Sequence, residues 1–450
     1  MGKANVFQIL VLVALTLTTL PCVSALASWQ ENGNPMCTAV NDQASSQITS
    51  DGAGGAIITW QDYRNGSDGD IYAQRVDASG IVMWATDGVA MRVAPFYEEM
   101  PQITSDGVGG AIITWRQRGV DSDRIIAQRV NASGSVMWGT NGVNVCGAPW
   151  DRYGPQIISD GVGGAIITWE DHRDDSGDIY AQRVDASGTK MWPGVAICTA
   201  TGQQSGPEIT SDGVGGAIIT WEDYRSGSAD IYAQDVDLSG AAKWTGDGVV
   251  ICAATDGQYY PELVSDGAGG AIITWFDNRI GISNDIYAQR VDASGAVKWA
   301  ADGVAICTAI YSQVYPRLVS DGAGGATITW QDLRNGSNYD IYAQHVPAGI
   351  ADVPLTSVTA SALSQNVPNP FNPLTRVTFE VAAPSEVRLL ICDIAGRPVR
   401  TLVDAWREPG VYSEVWDGRD GAGSALPSGV YFYRLEAGDF VATRKMVLLR

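Results

Sequence analysis

Basic residues are scarce in this 450-residue chain. Lys and Arg number 29 against 50 Asp and Glu, giving a net charge of −21 and a pI near 4.4. Neutralising phosphates requires clustered cations, so nonspecific nucleic-acid binding is excluded. Histidine is scarcer still: His172 and His345 are single substitutions inside repeated segments and read as surface residues rather than catalysts. No nucleophile–base pairing, Gly-x-Ser-x-Gly elbow, phosphate loop or metalloprotease helix stands out. Long apolar runs are also missing. The only one, Val6–Leu20, is short for a membrane span. With Lys3 before it and Ala25-Leu-Ala27 ahead of Ser28, residues 1–27 read as a secretory signal that is removed, leaving no membrane span. Helix-forming stretches are lacking too, because glycine recurs within almost every ten residues of the repeats.

What is present is a repeat. Ser211–Gly240 (SDGVGGAIITWEDYRSGSADIYAQDVDLSG) recurs at Ser50, Ser105, Ser159, Ser265 and Ser320, with successive starts 55, 54, 52, 54 and 55 residues apart. A fixed period of this length is one supersecondary unit copied, each copy burying its apolar faces against its neighbours. Each unit reads as four short strands. A short first strand precedes Asp51-Gly52…Gly54-Gly55, a hairpin signal. The continuous apolar run Ala56–Trp60 suits a strand covered on both faces, and Asp70–Val76 and a segment around Met83-Trp84 follow.

Such units predict an all-β fold, a six-bladed β-propeller followed by a small Ig-like β-sandwich. An open solenoid would want capping ends instead. The sixth copy stops after Ile341–Pro347 without a fourth strand, whereas Trp29–Cys37 aligns residue for residue with Trp299–Cys307. The expectation is that this amino-terminal strand closes the last blade. Five cysteines (Cys37, Cys146, Cys198, Cys252, Cys307) share one repeat position, where the remaining copy has Arg92. Equivalent positions on different blades lie beyond the ~7 Å Cα reach of a disulfide, so they read as buried fillers. No disulfides are expected.

The repeat region spans 28–346, a Pro/Ser/Thr/Ala-rich linker 347–363, and a second β domain 364–450 with short strands and regular turn signals. Its Asn369-Pro-Phe-Asn-Pro373, Ile391–Arg400, Trp416-Asp-Gly-Arg-Asp, Pro427–Phe432 and terminal Lys445–Arg450 resemble the Ig-like domain of flagellar hook-capping proteins and the sorting domain of type IX secretion cargo. The resemblance implies a secreted or outer-surface bacterial protein whose tail is a sorting or attachment signal read by secretion machinery, with no catalytic role. The repeats resemble uncharacterised bacterial propeller repeats with an Asp-Gly-x-Gly-Gly…Trp-x-Asp-x-Arg…Asp-Ile-Tyr pattern. The spacing from Asp51 to Trp60 is too long for a sialidase Asp-box, and no catalytic residue is carried over.

Loops joining one blade to the next share a face with the Trp-x-Asp-x-Arg loops, and that face is where a ligand is expected. Asp-x-Arg, copied in nearly every blade, reads as a structural brace; the sharper alternative is a calcium site between Asp62 and Asp70. Symmetry breaks at the second repeat, where Trp115-Arg-Gln-Arg118 replaces the motif. Glu98, Arg116, Arg118, Trp150, Asp151, Arg152 and Tyr153 are therefore the candidate ligand-binding residues, Trp150 as a stacking surface and the charges as orienting groups. The bland reading is drift compensated by a Glu98–Arg152 pair. No catalytic or metal residue is assigned. The functional expectation is a monomeric, noncatalytic binding or adhesion propeller for a glycan or protein. The alternatives are a glycoside hydrolase or lyase with Glu98 and Asp151 as its carboxylates, and a purely structural surface protein.

Overall fold

The computed structural model describes residues 29–349 and 360–450, apart from single or paired loop positions such as 67, 94, 120–121, 147–148 and 408–409. The expected signal and most of the linker lie outside the described residues. Among those residues there is no helix, and the chain is all-β.

Each repeat forms one antiparallel sheet, numbered here 1 to 6. First strands run Gln43–Ser50, Glu98–Ser105, Arg152–Ser159, Gln204–Ser211, Gln258–Ser265 and Gln313–Ser320. Second strands run Ala56–Asp62, Ala111–Gln117, Ala165–Asp171, Ala217–Asp223, Ala271–Asp277 and Ala326–Asp332. Third strands begin at Asp70, Arg124, Asp178, Asp230, Asp285 and Asp340, and strand order follows chain order. Sheets 1–5 add a short fourth strand, while sheet 6 has three. The apolar runs face both ways because consecutive sheets stack. Between sheets 3 and 4, for example, Ile179, Trp192 and Cys198 share one core with Ile219, Trp221 and Tyr232. Full burial of each such side chain stabilises by roughly 1.5–3 kcal/mol.

One end of every sheet is made alike. Asp160 accepts hydrogen bonds from Val162 and Gly164 N–H at 3.0 and 2.8 Å and pairs with Arg183 at 2.8 Å. The second glycine of the turn is obligatory: a Cβ on Gly164 would lie 2.2 Å from the Val184 carbonyl oxygen. Arg75 and Arg129 also reach Ala132 O and Ala186 O of the next sheet, both at 3.0 Å. In sheet 4 Asp235 replaces this arginine, and Lys243 of the following segment supplies the cation, 3.4 Å from the turn residue Asp212 and 2.6 Å from Asp235.

The expected closing strand is not formed. Residues 29–42 contain no strand, and among the described residues nothing pairs with the outer edge of sheet 6. Trp29–Thr38 lies instead against sheet 1 as fourth strands lie against the next sheet. Trp29 Nε1 donates to Ala78 O at 3.3 Å, as Trp84 Nε1 does to Ala132 O at 3.1 Å. Pro35 stands where Ala305 joins the ladder of sheet 5 and offers no N–H to one. Consequently Ile341 is 72% exposed, whereas its counterparts Ile71, Ile125, Ile179, Ile231 and Ile286 are at 0%.

The C-terminal sheets, one of three strands and one of four, share a core of Phe371, Phe379, Leu389, Trp416, Tyr433 and Leu435. Two separated sequence motifs meet here. Asn369 Oδ1 accepts from Val447 N at 2.9 Å, and Phe371 N donates to Val447 O at 3.0 Å, pinning the Asn-Pro-Phe-Asn-Pro segment to the last strand.

Candidate functional site

The Trp-x-Asp-x-Arg segments end the second strands, all at the end of the array opposite the Asp-Gly turns. Residues alternate faces along a strand, and the motif divides accordingly. Its fixed positions turn inward. Arg225 chelates Asp223 through Nε (2.8 Å) and a terminal nitrogen (2.6 Å), lies 4.0 Å over the Tyr232 ring, and donates to Cys198 Sγ at 3.2 Å. Trp221 Nε1 also donates to Asp223 at 2.9 Å. These bonds hold the carboxyl below its ordinary value against the opposing effect of burial. The cysteine row is thus part of the brace between sheets, and all six described cysteines are free thiols. The calcium reading does not fit this geometry. Both Asp62 oxygens are already engaged by Arg64 and Trp60, and the described residues hold no group of three or more metal-ligating side chains.

The variable x positions face the mouth of the array, where side chains that differ from sheet to sheet form a continuous band. Tyr63 and Tyr97 hydroxyls lie 2.9 Å apart, and the Arg118 guanidinium sits 5.2 Å from the Tyr97 ring. Arg118 and Arg116 both reach Glu99, at 2.9 and 3.0 Å, and Arg116 also pairs with Asp123. Arg116 lies 4.0 Å over Tyr153, whose ring meets His172 edge-on at 4.9 Å; His172 Nε2 is 2.7 Å from Glu170. On sheets 4–6 the band continues. Tyr224 OH and Tyr260 N donate to Glu222 at 3.0 and 2.8 Å, and Tyr260 packs on Phe276 (5.3 Å) and Tyr315 (5.2 Å). The C-terminal sheets touch this end beside sheets 5 and 6, where Arg376 lies 3.4 Å from Asp285 and Tyr311 OH donates to Asn372 O at 3.2 Å.

The predicted residues therefore divide. Arg116, Arg118, Asp151 and Tyr153 are brought together at the mouth, and Trp150 projects from it, half exposed, with φ 102°. A bulky residue in that backbone region is strained by roughly 1–3 kcal/mol. Glu98 and Arg152 are fully buried, and each faces a charged partner, Arg92 and Asp171 respectively. In register, Arg152 lies opposite Asp171 and bonds it at 3.0 Å, while also donating to Trp150 O at 2.8 Å. Glu98 lies opposite Gln117 and faces Arg92 at 3.5 Å. Sheet 2 has exchanged the Gln–Asp order of sheets 1, 4, 5 and 6 for Glu–Gln, and Arg92 replaces the arginine that Gly119 cannot supply. Burial pushes the Glu98 carboxyl up to about 7. Glu98 and Asp151 are thus not two carboxylates sharing one open pocket. Glu170 and His172, which alternation within Trp-x-Asp-x-Arg places at the mouth, and Asp123, just ahead of the third strand of sheet 2 and outside that motif, were not among the predicted residues.

A hollow of about 330 Å3 opens beside the band, lined by Gly154, Gln156, Gly206, Glu208, Glu222 and Tyr260 among others. Glu208 accepts from Gln156 Nε2 at 2.6 Å, and burial raises its carboxyl to about 7. Burial raises Glu222 as well.

Residues 368–439 match the FlgD Ig-like domain. That match covers the C-terminal sheets except their strands Ala362–Leu363 and Phe440–Leu448, and leaves the repeats unassigned; comparison with curated proteins finds no match. Among solved structures, an E242A mutant of the α-L-arabinofuranosidase arb93a from Fusarium graminearum is similar at 12% identity, over 70% of this chain and 96% of that one, with TM-score 0.39. The polysaccharide lyase Uly1 is similar at 9% identity, over 87% and 92%, with TM-score 0.40. PorZ, a type IX secretion surface component of Porphyromonas gingivalis, is similar at 10% identity over 90% of this chain and 59% of that one, with TM-score 0.31. None of these likenesses carries residues or activity over to this chain.

Proposed function

We propose that the chain is a secreted or surface-attached, noncatalytic glycan-binding protein. Its six sheets are the blades of a propeller (28–346), joined by a linker (347–363) to an Ig-like sandwich (364–450) that engages secretion or attachment machinery. The observation that carries the reading is the band at the mouth. Residues common to the sheets are consumed in bracing them, while aromatic and charged side chains that vary from sheet to sheet gather at one end, with Trp150, Tyr260 and Tyr315 about half exposed. Flat, partly exposed rings beside paired charges suit the apolar faces and hydroxyls of sugars. The test is a glycan array probed with the full chain and with an Arg116→Ala/Trp150→Ala variant. Binding that the double substitution abolishes supports the reading; binding to no glycan contradicts it.

A second reading, a glycoside hydrolase, draws on Glu208 and Glu222, two carboxylates of unequal environment lining one hollow. Such a pair can divide acid and base roles. Release of reducing ends from any bound glycan, abolished by Glu208→Gln, supports it; intact glycan after prolonged incubation contradicts it.

A further inference from the structure

We infer that the hollow beside Tyr260 is a pocket for the ring of a neutral or amine-bearing sugar, closed to uronic-acid and sulfated sugars. The inference rests on the glycan-binding reading and names the class of ligand.

A bulge near the start of each first strand puts one residue into the left-handed region: Ser45, Met100, Gly154, Gly206, Tyr260 and Tyr315, with φ between 52° and 59°. The side chain at this position projects from the mouth, so Met100, Tyr260 and Tyr315 are about half exposed. Only sheets 3 and 4 carry glycine there, and a Cβ on Gly154 or Gly206 would meet nothing within 4 Å. The hollow is therefore the space that two absent side chains leave, bounded on one side by the tyrosine of sheet 5. Glycine suits this backbone; tyrosine is costly in it, and sheets 5 and 6 keep tyrosine nonetheless. The Tyr260 ring is held against Phe276 and Tyr315, so it is an oriented platform rather than a loose side chain.

The volume of about 330 Å3 lies at the lower end of the roughly 300–1,000 Å3 typical of small-molecule sites. Its polar lining is rich in acceptors. Glu208, Glu222 and Glu262 face it, with Gln156 holding Glu208 and Arg317 paired to Glu262. Carboxylates accept from sugar hydroxyls or ammonium groups, and the platform takes the C–H face of a ring. Above pH 7, where Glu208 is ionised, a carboxylate or sulfate on the sugar would meet like charge in a partly desolvated wall, which disfavours it even though Arg317 offsets Glu262.

Titration calorimetry on the full chain tests this. The probes are xylohexaose, cellohexaose and mannohexaose as neutral sugars, a glucosamine hexamer, and a galacturonate hexamer. Gly206→Tyr fills the hollow with the residue that sheets 5 and 6 already carry in the same conformation, and Tyr260→Ala removes the platform. Each variant should weaken binding of a neutral or amine-bearing probe at least tenfold in protein that still unfolds cooperatively, and the galacturonate hexamer should not bind. Galacturonate binding as tight as the others overturns the inference, as does neutral-sugar binding indifferent to both variants. If binding survives both yet fails in Arg116→Ala/Trp150→Ala, the pocket is wrong while the glycan reading stands. If no probe and no arrayed glycan binds the native chain, both fall.

Discussion

The two ends of the repeat array are built from the same strands and obey opposite rules. At the turn end Asp51, Asp106, Asp160, Asp212, Asp266 and Asp321 each cap their own loop, and Arg75, Arg129, Arg183 and Arg290 repeat one pairing. Where that pairing is lost, at Asp235, Lys243 restores it. At the mouth the corresponding places hold Gln61, Arg116, Glu170, Glu222, Phe276 and Gln331, with no restoration of sameness. A position that must serve the sheet is copied or compensated; a position free of that duty can specialise. Sheet 2 shows both rules at once. Its Glu98–Gln117–Arg92 exchange repairs the brace, while Arg116 and Arg118 depart outward.

The comparison can be broken most severely at the braces. Asp223→Ala would leave Arg225 and Trp221 Nε1 without their acceptor and should destabilise by about 3–5 kcal/mol in chemical denaturation. Glu98 comes next. Its carboxyl, near 7 in the folded protein against an ordinary 4.5, binds more proton folded than unfolded between those values. Its contribution is therefore complete below pH 4.5 and is lost as pH rises through 7, by at most on the order of 3 kcal/mol. Denaturation midpoints at pH 4.5, 6 and 7.5 should fall with pH on this account, and Glu98→Gln should flatten that slope. The two classes of glycine sharpen the contrast. Gly216→Ala drives a Cβ to 2.2 Å from Val236 O and should cost roughly 2–3 kcal/mol, whereas Gly154→Ala meets open space and should cost about 1 kcal/mol through its φ alone. Arg118→Ala, at an exposed pair, should change melting by less than about 0.5 kcal/mol.

Much of the fold was legible because it is written six times: the second and third strands, the turns and the brace role of Asp-x-Arg follow from period and alternation, whereas the fourth strand of sheet 1 forms at Val89–Arg92 rather than around Met83-Trp84. The closing strand was not, since the alignment of Trp29–Cys37 with Trp299–Cys307 reports which surface the segment packs on, not which edge it pairs with. At the site, Arg116, Arg118 and Tyr153 were legible as breaks in symmetry. Glu98 and Arg152 were misplaced because a charged residue in a strand reads as a loop-face group until register sets it opposite Gln117 or Asp171. The hollow was invisible, because Gly154 and Gly206 look like ordinary turn glycines until the tyrosines at the same bulge are aligned with them.

The most direct test is the affinity of the best arrayed glycan for three proteins: the native chain, Arg116→Ala/Trp150→Ala at the mouth, and Arg129→Ala at the turn end. The account predicts at least a tenfold loss confined to the mouth variant. Equal losses in both, or a loss only in Arg129→Ala, would contradict the division of labour between the two ends.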